Sequence, residues 1–541
     1  MVNKIMKMVL IILILTVVII ISGIFIFTYQ RELLQPKQQN YELQQEEALD
    51  IQEFSKKMTF IVNVPKNTFE EDIVYFETFR PEGLKSFKME KISDYKHKIT
   101  FDIDFLEQGV YVDDNGERII RYAYNRNNFG FITTEYLGET TQTDYWDKLT
   151  RKISHPKQGY VQEDLVERWK WFPQGEIDFK TQITPPEKFM ERINGKEFHS
   201  GHVLNDLYVS GFDDFFNSTS KHMREQEYTW AIISPPWQWV ADSPPKVANS
   251  IELGIDENPN YPSDEKLIEH IKSLKKEGIK VFLSPQICCT VIDTQNRNDE
   301  WWNAYFSEVE RFLVHHAKIA EVSGADALRV DTFDADNREV KNFDEKMEQM
   351  IKNIRKEFGG EIGSGTSIYL SEDKEPRGII PPVEYFTFGD KLDFFVISID
   401  ARLSRKDNPS NKELAEEAGN LIDRALPLHE KYNKPIIVII SYASIEKSWK
   451  GSAFYDFVEI MNAPWIGERE WKKGKYEFSG EDQARTINAY FEAIEKRPWI
   501  TGLYNFGYWM WEMPLAPDMS IRGKPAEDLW KKWNEVIYED D

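Results

Sequence analysis

Three kinds of hydrophobic pattern succeed one another along the chain. The first is an unbroken apolar run from Met8 to Tyr29, rich in Ile, Leu and Val and free of charge. A helix rises about 1.5 Å per residue, so this run is long enough to span a hydrocarbon core and predicts a transmembrane helix within residues 1–30. Lys4 and Lys7 precede it, which puts the N-terminus in the cytoplasm and everything beyond Gln30 outside. No small-x-small cleavage site follows Phe27, which favours an uncleaved signal anchor over a cleaved signal peptide. Residues 31–56 are rich in Gln and Glu and read as a stalk or linker.

The second pattern is period-two alternation in short runs across residues 57–181: Thr59 to Val64, Ile73 to Phe79, Lys98 to Phe105, Ile119 to Tyr124 and Gly130 to Leu137. Turn residues such as Asp113-Asp114-Asn115-Gly116 separate them, and together they predict an antiparallel β-sandwich. In the third, covering residues 198–541, apolar strands alternate with amphipathic helices. The strands are Val203 to Val209, Tyr228 to Ser234, Lys280 to Ser284, Ala327 to Val330, Ser367 to Leu370, Leu392 to Ile399, Ile436 to Ile440 and Ile500 to Phe506. The helices include Asp264 to Glu277, Asp299 to Ser323, Phe343 to Phe358, Lys412 to Lys431, Glu481 to Lys496 and Pro525 to Ile537. Eight strands with helices between them over about 340 residues is the arithmetic of a (β/α)₈ barrel, an α/β fold. A doubly wound sheet is the alternative, but no Gly-rich phosphate turn follows the first strand.

Composition narrows the partners. The net charge of -24 leaves no clustered basic face for phosphate, which excludes nucleic acid. Sixteen Trp, out of proportion for packing alone, suit the flat apolar faces of sugar rings. The only cysteines, Cys288 and Cys289, are adjacent and unsuited to an ordinary disulfide, so the exported part must hold together by its cores.

Two resemblances sharpen this reading. The segments "FIVNVPKNTFEEDIVYFETF", "HKITFDID" and "IRYAYNRNNFGFITTE" resemble the starch-binding type of carbohydrate-binding module, through Val64-Pro65-Lys66-Asn67-Thr68 and Tyr122-Ala123-Tyr124-Asn125-Arg126. Residues 81–88, where such modules often carry a binding Trp, match poorly. In the third region "YPSDEKLIEHIKSLKKEGIKVFLSPQI", "LDFFVISIDARLS", "YNKPIIVIISYAS" and "MSIRGKPAEDLWKKW" resemble TIM-barrel glycoside hydrolases of the mannanase type. The match covers nearly the whole barrel and implies hydrolysis of O-glycosyl bonds.

That family carries its acid/base Glu at the end of strand four and its nucleophile Glu at the end of strand seven. Phe333 and Ile440 stand at those positions here, and an apolar side chain neither transfers a proton nor attacks an anomeric carbon. Either the catalytic groups have moved or hydrolysis has been lost. "ADALRVD" is similar to the strand-four motif of α-amylase-type barrels, which implies Asp331 as nucleophile with Arg329 beside it. Residues two apart on a strand face the same way, and the guanidinium favours the charged carboxylate. The acid partner is expected to be Glu372, after strand five. Asp400, after strand six, is the runner-up and Asp373 a further candidate.

Substrate-binding candidates are Trp237, Trp239, Gln286, Trp449, Trp509 and Trp511, with Glu446 and Glu512 near the rim. Trp301 and Trp302 open a helix and read as a core anchor. Asp331, Asp334 and Asp336 lack the Gly and closing Glu of a calcium loop, so neither metal nor cofactor is expected. The sequence thus reads as a single-pass cell-membrane protein with an extracellular, carbohydrate-cleaving barrel, by a retaining double displacement. The rivals are a non-catalytic carbohydrate-binding or envelope protein on a degenerate barrel and, more remotely, a deacetylase or lyase, which no His-Asp metal cluster supports.

Overall fold

A computed structural model describes residues 56–80, 83–112, 115–128, 130–138, 150–154, 159–175, 179–204, 212–249, 263–287, 292–294, 296–331, 340–368, 379, 381–455, 460, 476–508 and 513–538. Among them no helix is long and apolar enough to cross a membrane. The run from Met8 to Tyr29 and the stalk up to residue 55 lie outside them. The chain divides into two compact units at about residue 178.

The first unit is built of two sheets. One has the order β4 (Glu90–Ser93), β5 (Lys96–Asp102), β1 (Lys57–Asn63), β9 (Val161–Leu165). The other runs β3 (Gly83–Lys88), β2 (Val74–Arg80), β7 (Arg118–Arg126), β6 (Val110–Val112), with β8 (Arg151–Ser154) also paired to β7. Alternation turns Met58, Phe60 and Val62 of β1 toward Phe76 of β2 and Tyr122 of β7, and the Phe60 and Phe76 rings lie 4.5 Å apart in one shared core.

Two features of this unit depart from the alternation pattern. β9 joins β1 in parallel rather than antiparallel. Its Asp164 carboxylate is fixed by the hydroxyls of Tyr122 and Tyr124 and by Arg151. The stretch expected as a strand from Gly130 is instead a 3-10 turn, Gly130–Thr133, followed by single bridges from Thr134 and Glu135. After β5, Ile103–Glu107 forms a short helix, α1.

In the second unit eight parallel strands close on themselves: β10 (His199–Leu204), β11 (Trp230–Ile233), β14 (Lys280–Leu283), β16 (Ala327–Arg329), β17 (Glu361–Ile368), β18 (Phe394–Ile399), β19 (Ile436–Ile440) and β20 (Ile500–Tyr508). Helices surround them: α2 (Phe212–Glu225), α3 (Asp264–Lys276), α4 (Asp299–Ser323), α5 (Phe343–Glu357), α6 (Asn411–Asp423), α7 (Leu426–Tyr432), α8 (Gly480–Glu495) and α9 (Pro525–Ile537). This is the expected (β/α)₈ barrel. Capping sets the helix ends. The Asn298 side chain accepts from the backbone of Trp301 to start α4, and Gly324, at φ 77°, ends it in a left-handed conformation open to glycine.

Val203, Trp230, Ile232, Phe282, Ala327, Phe394, Val396, Ile437, Ile439 and Tyr504 fill the barrel interior. Strand β17 makes room for them. A Cβ on Gly363 would lie 2.1 Å from the Phe394 ring, and one on Gly365 would lie 2.3 Å from the Arg329 guanidinium. The missing side chains of this strand therefore let its neighbours' large groups cross the barrel.

The segment Ser520 to Glu527 closes the barrel against its last helix. Buried Lys524 donates to Ser444 Oγ, Ala516 O and Asp518 Oδ1 at 2.6 to 2.9 Å. Glu527 accepts from Tyr508 and the Gly523 amide, both at 2.7 Å, and faces His222 at 3.1 Å. A buried charge is tolerable only when matched in this way.

Candidate active site

In a strand the side chains alternate, so the residues that share a face with the barrel core also lead up to its C-terminal mouth. Ala327 of β16 lies in the core, which puts Arg329 and Asp331 on the inward face. The Asp331 carboxylate is held by three donors: Arg329 Nε on one oxygen, and Ser364 Oγ at 2.8 Å and the Gly365 amide at 2.7 Å on the other. Two of these come from β17, so the carboxylate ties the fourth and fifth strands together. Its side chain keeps 11% exposure.

On β18, Phe394 and Val396 are in the core, and Ser398 and Asp400 continue their face. The Asp400 amide still bonds Ile368 O at 3.2 Å, which fixes the residue just beyond the strand. Burial pushes its carboxyl up from 3.8 to about 6, with Ser452 supplying the opposing hydrogen bonds. Its Oδ1 is buried and meets no hydrogen-bond partner among the described residues. A carboxyl with one buried oxygen and a raised pKa at the end of a barrel strand is suited to proton transfer.

The seventh strand corrects the register used above. Ile437 and Ile439 are in the core, so Ile440 points away from it, and Ile439 with Ser441 is what faces the mouth. The one-residue shift leaves the strand without a carboxylate all the same. Ser367, Ser398 and Ser441, all partly exposed, give the mouth small hydroxyl groups that sequence reasoning did not single out. Ser364 and Gly365 were missed too. The signal for them was the Gly-Ser-Gly stretch of β17, which pattern alone reads as a turn.

Three of the tryptophans expected to meet substrate turn out to be packing residues. Trp237 is 5% exposed and packs on Phe312, His315 and His316 of α4. Trp239 stacks on Tyr305, 5.2 Å between centroids. Both lie on β12 (Pro236–Asp242), which pairs with β13 (Pro245–Ala248) and with β15 (Gln286–Ile287) above the second and third barrel strands. Trp449 is 2% exposed, donates to Lys406 O and lies under Arg485. An indole enclosed on both faces has none left for a sugar. Gln286 remains partly exposed on β15, and Glu446 is exposed. Trp301 and Trp302 are buried, as expected of an anchor, and Trp301 Nε1 donates to Asp242 O at 2.7 Å.

Glu372, Asp373, Phe333, Asp334, Asp336, Trp509, Trp511, Glu512 and both cysteines lie outside the described residues. Among the described residues no group of three or more His, Cys, Asp or Glu side chains is placed to hold a metal ion. In the first unit Trp169 and Trp171 are buried, and the exposed aromatic residues among those described are Tyr95, Tyr111 and Tyr160. Arg121 covers the Tyr111 ring at 4.0 Å.

The profile of Glycoside Hydrolase Family 113 matches residues 216–528. A solved complex of a GH113 β-1,4-mannanase is 18% identical and is matched over 64% of this chain and all of its own, with a TM-score of 0.46. The GH113 β-mannanase AaManA from Alicyclobacillus acidocaldarius, in complex with ManMIm, is 19% identical over 63% of this chain and 98% of its own, with a TM-score of 0.45. An endo-1,4-β-D-mannanase from Thermotoga petrophila is 12% identical over 63% and 99%, with a TM-score of 0.38. No curated protein matches the chain.

Proposed function

Because the chain belongs to Glycoside Hydrolase Family 113, we propose that its barrel cleaves poly- or oligosaccharides, β-1,4-mannan foremost, by a retaining double displacement in which Asp331 is the nucleophile. The observation that carries this reading is a carboxylate on the inward face at the end of β16, oriented by Arg329, Ser364 and Gly365. Attack by Asp331 on the anomeric carbon would give a glycosyl ester, which water then opens with a second inversion. The three donors that orient the carboxylate also make it a good leaving group in that second step.

Incubation with mannan, glucan, xylan and starch oligosaccharides should release new reducing ends from at least the mannan series. Proton NMR of the first product should show the anomeric configuration of the substrate. An inverted product would remove Asp331 as nucleophile, and no cleavage of any glycan would remove the hydrolase reading.

A second reading has its own observation. Ile439 and Ile440 leave the seventh strand without a carboxylate, and a barrel that binds glycan without cutting it needs none there. It predicts glycan binding with no reducing ends formed.

The localisation we propose is the cell membrane, single-pass through the run from Met8 to Tyr29, with the barrel extracellular. The flanking Lys4 and Lys7 support it. Protease added to intact cells should digest the barrel. Its protection until the membrane is opened would contradict this topology.

A further inference from the structure

We propose that Asp400, on the inward face just past β18, is the group that protonates the departing glycosidic oxygen. The inference rests on the hydrolase reading and adds the second carboxyl that such a reaction requires.

Geometry supports it in three ways. First, Asp400 is anchored: its amide remains in the strand ladder through Ile368 O, and Ser452 Oγ reaches its carbonyl at 3.4 Å. Second, among the described residues no cation figures among the causes that set its protonation. Glu527 faces His222, Asp518 is paired with Lys524, and Asp331 lies against Arg329. Ser452 hydrogen-bonds it, and the phenols of Tyr442, Tyr455 and Tyr490, from the seventh-strand loop and α8, lie close enough to feel its charge. The Ser452 hydrogen bonds favour the charge but burial outweighs them, so the carboxyl keeps its proton to about pH 6. Third, its Oδ1 is buried without a hydrogen-bond partner among the described residues, beside a strand whose inward residue is Ile439. A buried, unsatisfied carboxyl oxygen of this kind is costly to the fold, and a proton-donating role explains why it is there.

The placement relative to Asp331 fits as well. Between β16 and β18 lies only β17, whose inward positions are Gly363, Gly365 and then Ser367. The two carboxyl-bearing strands therefore flank one whose face carries almost no side chain. In the first step the Asp400 proton passes to the glycosidic oxygen as the bond from that oxygen to the anomeric carbon breaks. Asp331 takes the anomeric carbon and the leaving sugar departs as an alcohol. In the second step water attacks the ester, giving its proton to the Asp400 carboxylate and its hydroxyl to the sugar, which restores both groups.

The test compares wild type, Asp400→Asn and Glu372→Gln on the best-cleaved oligosaccharide and on the 2,4-dinitrophenyl glycoside of the same sugar. The dinitrophenolate leaves without a proton. Asp400→Asn should lose at least about 100-fold in kcat/KM on the oligosaccharide and less than about tenfold on the aryl glycoside. Wild-type kcat/KM should fall above about pH 6, where Asp400 ionises, and this alkaline limb should vanish in Asp400→Asn and persist in Glu372→Gln. Equal losses on both substrates, an unchanged limb in Asp400→Asn, or the leaving-group dependence appearing in Glu372→Gln instead would overturn the assignment. A wild type that cleaves neither substrate would instead overturn the hydrolase reading on which it rests.

Discussion

Asp331→Asn is expected to lower turnover on glycan by on the order of 10³-fold or more, equivalent to at least about 4 kcal/mol of transition-state stabilisation. The amide is nearly isosteric, so Ser364 and Gly365 keep an acceptor. It has no negative charge with which to attack the anomeric carbon. Its amino group would also face Arg329 Nε, setting donor against donor where a charge-assisted bond now stands. Losing that bond should cost about 1 to 3 kcal/mol of stability, moderated because the Arg329 side chain is 20% exposed and water can reach it. Denaturant midpoints and glycan binding measured alongside turnover separate the two effects. A folded variant that binds glycan and turns over within tenfold of wild type would remove Asp331 from the chemistry.

Asp400→Asn should do the opposite to stability. The carboxyl is raised from 3.8 to about 6 by burial in the folded protein, so the folded state holds its proton more tightly than the unfolded chain does. Well below 3.8, at about pH 3, both states are protonated and there is almost no penalty. Between about pH 4 and 6 the unfolded chain ionises first, so wild-type stability falls as pH rises; above about 6 the loss levels off. Two pKa units correspond to about 3 kcal/mol. Asn carries no charge at any pH and keeps an acceptor for Ser452, so the variant should match wild type at about pH 3 and exceed it by about 3 kcal/mol at about pH 8. Urea unfolding at the two pH values reads this directly. Equal stability at pH 8 would mean that the site tolerates the charge. A gain in stability with a loss of activity at the same residue is the expected mark of a functional group kept against the preference of the fold.

Legibility in the sequence varied with the kind of signal. Strongly periodic segments were readable: α4 runs from Asp299 to Ser323, and β19 from Ile436 to Ile440, at the limits the apolar pattern indicates. Strand β17 was not, because Gly363 and Gly365 look like turn residues until the Phe394 ring and the Arg329 guanidinium are seen over them. One helix expected from Lys412 to Lys431 is two, α6 and α7, with Pro427 in the first turn of the second.

At the site, the Arg329 and Asp331 pair could be read from two-residue spacing on a strand, whereas the fate of the tryptophans could not. Trp237, Trp239 and Trp449 satisfy a composition argument for sugar stacking, but composition does not say which face an indole presents, and helix packing took all three. The choice of Ile440 over Ile439 was an error of one residue, which on a strand reverses the face. The Asp400 carboxyl was one candidate among several loop acids until its burial and missing partner set it apart.

The claim that this barrel cuts glycosidic bonds through Asp331 can be tested by trapping the intermediate. A 2-deoxy-2-fluoro glycoside with a dinitrophenyl leaving group forms the glycosyl ester readily and releases it slowly. After tryptic digestion, mass spectrometry should find the added fluorosugar on the peptide from Val330 to Arg338, with fragmentation placing it on Asp331. A label on any other carboxylate, or steady turnover of glycan with no label at all, would contradict the account.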